Sequence, residues 1–395
     1  MRGGPDGAAA ARAHLRALAS APRPAGGAAE AAARAHARET LRRLGYAIAE
    51  VPFTYSALVG QWGTPIAGVA SIAVLGAAAR LGAVGRAGAA LALLGGALVV
   101  GGAIGAWAAR QGVLRAPALR REGVNVVATR GDARPTVWLV AHLDSKSQPV
   151  PIGVRAGGVV ATIGAWIAAL ALGAAQRWGG VDATAAWPWL AVAGALAGLP
   201  LVASTVTARS PGALDDASGV ATVLLAAEAL RDLPASPGVL LTSAEELGLA
   251  GARAWTAQRR ASGEAPGIAL NVDGVDDVGL LRAMTGARPL GDVVAALRAA
   301  ARAAGVELDV RRLVPGILVD AVALADAGWA TLTLSRGTWG TLTRIHTSHD
   351  TVDRLDGTGV AEAARVLAEA ARALVRERSD AATVEVRVPP AGRTA

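Results

Sequence analysis

The stretch TVWLVAHLDS, residues 136–145, decides the fold. Its first six residues form a short continuous apolar run, β-branched at several positions, which reads as a buried strand. The run ends directly in His142-Leu143-Asp144, so an imidazole stands at a strand's C-terminal end, where open α/β sheets build their sites. Asp144, two residues on, lies on the same side of an extended backbone. It can accept the second imidazole N–H and so fix the tautomer of a metal-bound ring. Taken alone, a His-x-Asp pair is equally well explained as part of a polar loop.

Further along the chain, four more segments bring metal-ligating residue types to the ends of apolar runs. GALDDASG, residues 212–219, precedes a helical pattern; Asp215 could cap that helix, but Asp215 and Asp216 together exceed what a cap requires. VLLTSAEELGL, residues 239–249, ends a strand in Glu245 and Glu246, and such a pair near a core is costly unless cations or protons neutralise it. One of the two can ligate a metal while the other stays free as a general base; a solvated pair at a helix start is the plainer alternative. IALNVD, residues 268–273, ends in Asp273, and RIHTSHDT, residues 344–351, is a polar loop carrying His346 and His349. Five coincidences in order, each beside an apolar run, have a joint explanation: His142, Asp215, Glu246, Asp273 and His346 form a two-metal hydrolytic centre.

Between these segments the pattern is that of an α/β protein. Strands are expected at 46–53, 123–129, 136–141, 239–242, 268–272 and 331–334. Helices are expected within 8–44, broken at 22–27, and near 220–232, 251–260, 292–304 and 359–376. This alternation predicts a mostly parallel mixed sheet flanked by helices in three layers. The first residues, MRGGPDGAAAARAHLRALAS, lack a continuous apolar core behind Arg2 and read as an amphipathic helix rather than a signal peptide.

Four uncharged runs interrupt the pattern, at 51–79, 87–109, 156–176 and 183–208. Each can cross a hydrocarbon core of roughly 30 Å as a helix, so two transmembrane hairpins are expected. Trp62, Trp107, Trp178, Trp187 and Trp189 fall near the ends of the runs, where indoles favour the headgroup level. Alanine-rich helices buried in a soluble core are the alternative reading.

Composition narrows the chemistry further. Of 395 residues 53% are hydrophobic, more than a soluble enzyme needs. The absence of cysteine excludes disulfides, thiolate metal sites and a cysteine nucleophile. The net charge of +8 is carried almost wholly by arginine, Lys146 being the only lysine. With alanine and glycine abundant throughout, this points to GC-rich coding, and no basic run with interleaved aromatics suggests a nucleic-acid partner.

As a set, AHLDS, GALDDASG, AEELGLAG, NVD and HTSHDT resemble the M28 family of zinc peptidases. The resemblance covers about 8–56, with PRPAGG and LGYAIAEVPF, and 117–377. It implies two Zn2+ per chain: His142 and Asp273 on one, Glu246 and His346 on the other, and Asp215 bridging them. It further implies Glu245 as general base, Asp144 as the carboxylate orienting His142, and a zinc-exopeptidase-like fold acting on peptides. His349 takes a variable position and is read as a bystander; His14 and His36 are read as surface residues. Ala252 and Asp320-Ala321 depart from the family pattern without touching a ligand. The two apolar insertions are the larger departure.

The expected organisation is peptidase domain at 1–56, 111–150 and 209–380, membrane hairpins at 57–110 and 151–208, and a tail at 381–395. Both hairpins return to their starting side, so the catalytic domain lies on one face of the membrane. That side carries Arg42, Arg43, Arg110, Arg115, Arg120, Arg121, Lys146, Arg155 and Arg209, against Arg80, Arg86 and Arg177 at the tips. The positive-inside rule then favours a cytoplasmic catalytic domain in a bacterial cell membrane. The functional expectation is an integral-membrane aminopeptidase. The alternatives are a glutaminyl-cyclase-like acyl transferase of the same fold and a non-enzymatic membrane scaffold.

Overall fold

The computed structural model describes residues 5–387 apart from 132–133, 235, 287–289 and 315. Its elements, in chain order, are α1 (Pro5–Leu18), α2 (Ala28–Arg43), β1 (Ala47–Ser56), α3 (Ala57–Ala83), α4 (Ala87–Trp107), α5 (Val113–Arg115), β2 (Arg120–Thr129) and β3 (Val137–His142). They continue with α6 (Ile152–Trp178), α7 (Trp187–Val202), α8 (Ser218–Ala229), β4 (Gly238–Thr242), α9 (Ala250–Ala261), β5 (Ile268–Val275) and β6 (Leu280–Thr285). The last are α10 (Gly291–Ala304), β7 (Leu308–Arg312), α11 (Asp320–Asp326), β8 (Ala330–Gly337), α12 (Trp339–Leu342) and α13 (Thr358–Arg387).

The eight strands form one mixed sheet in the order β1-β2-β4-β3-β5-β8-β6-β7. β4, β3, β5 and β8 run parallel, while β1 and β2 pair antiparallel with each other and β2 antiparallel with β4. The parallel strands at the centre are buried on both faces, which is why they read as continuous apolar runs. Alternate residues of β3 serve opposite layers. Val137, Leu139 and Ala141 belong to the core layer that holds buried residues of α1, α2, α8, α10 and α13; Trp138 and Val140 belong to the one that holds those of α9 and α11. On the second face Trp138, Trp255 and Trp329 stack in a chain with centroids 5.0 and 4.9 Å apart, and the Arg259 guanidinium lies against all three rings.

The expected three-layer α/β fold is thus present, with differences in detail. β6, β7 and α11 are additional, and the helix following α4 runs on through a π turn to Arg115. α13 reaches Arg387, so residues 381–387 extend a helix instead of beginning a tail.

Among the described residues four helices are long and apolar enough to cross a membrane, and no more than 28% of the most apolar window of any of them is buried by protein. They pack as a bundle through small residues. A Cβ on Gly68 would meet Val202 N at 2.8 Å, and one on Gly198 would meet Ile72 at 2.7 Å, so α3 and α7 approach more closely than larger side chains permit. Trp187 corrects an expectation: its side chain is fully buried in the bundle, against Gly82, and its indole N–H donates to Gln176 Oε1 at 2.7 Å. Gln176 in turn donates to the Gly82 carbonyl, so this indole clasps helices together and is no interfacial anchor. Trp62, Trp107, Trp178 and Trp189 are exposed, as an anchoring role requires.

All four connections between bundle and sheet lie at one end. β1 is antiparallel to β2, which is antiparallel to β4, so the C-terminus of β1 and the N-terminus of β2 sit with the C-terminal ends of β3, β4, β5 and β8. At Ser56 strand becomes helix: its hydroxyl accepts the Leu58 N–H and donates to the Ala118 carbonyl at 2.6 Å. An antiparallel bridge between Ser147 and Thr207 closes the base of the second hairpin.

His14 and His36 are half-buried, not free on the surface. Nδ1 of the first lies 2.9 Å from Nε2 of the second across α1 and α2.

Candidate metal centre

The residues singled out from sequence converge at the end of the sheet from which the apolar helices leave. His142 closes β3, Glu245 and Glu246 follow β4, and Asp273 lies near the end of β5. Asp215 stands just before α8, and His346 follows α12. His142 Nε2 is 3.1 Å from Asp215 Oδ1, and His346 Nε2 is 3.0 Å from Asp215 Oδ2. Asp215 therefore presents one oxygen to each imidazole. Ligand atoms of His142, Asp215 and Asp273 lie within 4.8 Å of one another, as do those of Asp215, Glu246 and His346. The structure brings together the same residues that the resemblance groups, with Asp215 common to both sets.

The donor set fits divalent metal. Two imidazoles and three carboxylates meet in a mostly buried space, and Glu246 Oε1 is buried there with only a 3.4 Å contact to His346 Nε2. Such groups are costly to bury uncompensated, and a hard or borderline cation supplies the missing partner.

Electrostatics divide the carboxylates. Burial pushes Asp215 up, but hydrogen bonds from His142 and His346 overcome it and hold the group well below the usual range. Glu246 is likewise opposed by burial, yet the Lys146 ammonium and His346 bring it down to about 2. Lys146 Nζ lies 2.5 Å from Glu246 Oε2. Burial, with Asp215 adding to it, pushes Asp273 up to about 7. Glu245 is driven well above its ordinary value, chiefly by burial and with the Glu246 charge adding. Its Oε2 lies 4.0 Å from His142 Nε2.

The contact between Asp144 and His142 runs through the main chain, not through the carboxylate expected to orient the ring. The Asp144 main-chain carbonyl is 3.0 Å from His142 Nδ1 and its carboxylate 3.7 Å away. The carboxylate oxygens accept the backbone N–H groups of Glu245 at 3.0 Å and Glu246 at 3.2 Å. One residue therefore sets the glutamate pair against the imidazole, its carbonyl on the ring and its carboxylate on the glutamate amides. The glutamate turn is framed by left-handed Ala244 at φ 57° and Gly248 at φ 103°.

Several braces lie outside the expected set. Asp216 accepts N–H groups from His142, Gly219 and Gly274, tying three ligand segments together. Asp350 accepts the N–H groups of Leu214 at 2.7 Å and Asp215 at 3.1 Å, linking the HTSHDT loop to the GALDDASG loop. Arg23, buried, donates to the carbonyls of Leu143, Pro211 and Gly212. Buried Glu30 accepts the Ser243 hydroxyl at 2.5 Å and the Gly26 N–H at 2.6 Å. Lys146 was visible in sequence only as the single lysine. His349 is exposed and joins neither triad.

Residues 198–371 match the model of Peptidase family M28, which supports the family that the motifs resemble. That stretch contains Asp215, Glu245, Glu246, Asp273 and His346, while His142 lies before it. Among solved structures, an aminopeptidase from Aneurinibacillus sp. strain AM-1 is similar at TM-score 0.55 and 15% identity, over 92% of either chain. BSAP, a zinc aminopeptidase from Bacillus subtilis, is similar at TM-score 0.53 and 14% identity, over 94% of this chain and 95% of that one. A glutaminyl cyclase from Fimbriiglobus ruber is similar at TM-score 0.51 and 14% identity, over 94% and 96%. No curated protein matches the chain by sequence. The α/β fold is thus one shared by zinc aminopeptidases and glutaminyl cyclases.

Proposed function

We propose that the chain is a membrane-embedded aminopeptidase working through two zinc ions, with Glu245 as general base. The observation that carries this reading is Asp215, whose two oxygens face His142 and His346 and so belong to both ligand triads. His142 and Asp273 would hold one ion, Glu246 and His346 the other, and Asp215 would join them. Bound zinc supplies Lewis acidity and acidified water.

The rest of the work falls to the protein's own groups. Asp144 holds the backbone of Glu245 so that its carboxylate faces the triads; Glu245 takes the proton of the attacking water and returns it to the leaving amine. Burial, which raises Glu245, strengthens it as a proton acceptor. Lys146 keeps Glu246 ionised and in place.

The four apolar helices support integration in a membrane, and the arginine asymmetry supports a cytoplasmic catalytic domain in a bacterial cell membrane. The expected domain limits are kept in this proposal, save that α13 carries the peptidase domain on to Arg387.

The test is metal content per purified chain together with hydrolysis of aminoacyl reporters, using Glu245→Gln as control. Two metals per chain and activity lost in the variant are expected; full activity in Glu245→Gln would sink the assignment. One observation favours cyclisation as a second reading. The Lys146 ammonium is a fixed cation beside the second triad, where a one-metal centre has charge to balance. One metal per chain and cyclisation of an N-terminal glutaminyl peptide would establish that reading instead.

A further inference from the structure

Every crossing between the apolar bundle and the sheet lies at the end that carries the metal triads. That end also carries exposed apolar side chains belonging to the α/β domain itself. Leu119, whose carbonyl accepts the Ala57 N–H, flanks the start of α3. Ile317 and Leu318 lead into α11, whose Asp320 receives the Thr242 hydroxyl at the end of β4. Leu280 pairs with Gly337 at the end of β8, directly before α12. On α12 itself Trp339 is 73% exposed and Leu342 38%.

The α12 segment is tied to the second hairpin. The His346 carbonyl, four residues beyond α12, accepts the Gln148 N–H at 2.9 Å, and α6 starts at Ile152. Exposed Arg110, Arg115, Arg120, Arg121 and Arg209 stand at the same crossings. An exposed indole and aliphatic side chains, at the same end of the sheet as exposed arginines and the membrane spans, have the composition of an interfacial belt. Single exposed apolar residues need no explanation, but a group of them beside the membrane crossings does.

We propose that the metal-bearing end of the catalytic domain lies against the bilayer surface, with α12 set into the headgroup layer, and that its substrates are peptides whose amino termini are presented from the membrane. This rests on the membrane-embedded peptidase reading and adds to it the substrate class. A peptide held by a lipid chain reaches the site at the effective concentration of a tethered ligand, while a free peptide must find a site that faces the membrane.

The test uses the full chain, which has no cysteine to remove. Trp339→Cys carries an environment-sensitive fluorophore in vesicles of phosphatidylcholine and phosphatidylglycerol. Asp232→Cys, with its side chain 85% exposed beyond the far end of α8, is the control. Brominated phosphatidylcholine should quench the label at 339 and leave the one at 232 unchanged. In the same vesicles an aminoacyl peptide carrying a C-terminal palmitoyl chain should exceed its free form in kcat/KM by at least about tenfold. Trp339→Ser with Leu342→Ser should bring that ratio towards one.

Cleavage of the free peptide with an unquenched label at 339, or a ratio near one in the unmodified chain, would overturn the inference and leave the peptidase reading standing. A label at 339 that is shielded in a concentration-dependent way but unquenched by bromolipid would place a second copy of the chain on this face, and also overturns it. Quenching at 339 with neither peptide cleaved would overturn the peptidase reading while supporting the docked face.

Discussion

The metal end of the sheet and the apolar bundle solve opposite packing problems. At the metal end charged groups are buried, and each is placed by a named partner: Asp144 by the amides of Glu245 and Glu246, Asp216 by those of His142, Gly219 and Gly274, and Asp350 by those of Leu214 and Asp215. In the bundle, packing depends on small size, with Gly68, Gly82 and Gly198 set against neighbouring helices and a single polar clasp of Trp187, Gln176 and Gly82. One region is specified residue by residue, the other largely by length and smallness. Substitutions in the first should therefore change chemistry with little effect on folding, and those in the second should do the reverse.

The largest expected effect tests that division at its strongest point. Glu245→Gln should lower kcat by about a thousandfold with metal content unchanged, read by turnover and elemental analysis of the same sample. Asp144→Asn should weaken metal binding by about 10- to 100-fold in a chelator competition, because the glutamate amides lose their anionic acceptor.

Gly60→Val tests the border between the regions. A Cβ at Gly60 would lie 2.3 Å from Leu247 Cα, so a membrane-helix substitution should displace the Glu245 turn and cut kcat by about tenfold or more. Unchanged kcat there would mean that the two regions are mechanically independent.

Within the bundle, Trp187→Phe removes the hydrogen bond to Gln176 and should cost about 1 kcal/mol of thermal stability in detergent, with kcat unaffected. The fifth prediction concerns the α1–α2 contact. Burial, with His36 and Arg43 adding to it, lowers His14 from 6.5 to about 4, so the fold prefers its neutral ring. That contribution is complete above the unfolded value and is lost as pH falls from about 6.5 to about 4, by up to about 3 kcal/mol. His14→Gln should flatten the acid limb of a stability–pH curve.

What was legible in sequence follows the same division. The ligands could be read because each stands at the end of an apolar run, and strand ends are where parallel sheets expose side chains. Their braces could not. Arg23, Glu30 and Asp216 act on main-chain groups or on residues far away in sequence, and nothing local distinguishes a buried bracing charge from a solvated one. β7, LDVRR, alternates apolar and charged residues over only five positions and stays half-exposed, and α11 spans only seven residues, so each periodic signal is short. Trp187 was misread because an indole at the end of an apolar run has the same sequence context whether its N–H meets water or Gln176.

The closed rungs at the base of each hairpin have a consequence for how such a protein can be cut and rebuilt. Ser56 pairs with Arg120 at the end of β1–β2, and Ser147 with Thr207 in an isolated bridge, so each pair of helices hangs from two paired residues. Among the described residues no strand lies within 57–119 or 148–206, so replacing those segments with tight turns would remove none of the ladder itself. The sheet is in this sense a chassis with two detachable modules, one on β1–β2 and one beside β3. A gene could gain or lose either module in a single event without redrawing the hydrogen-bonded ladder beneath it.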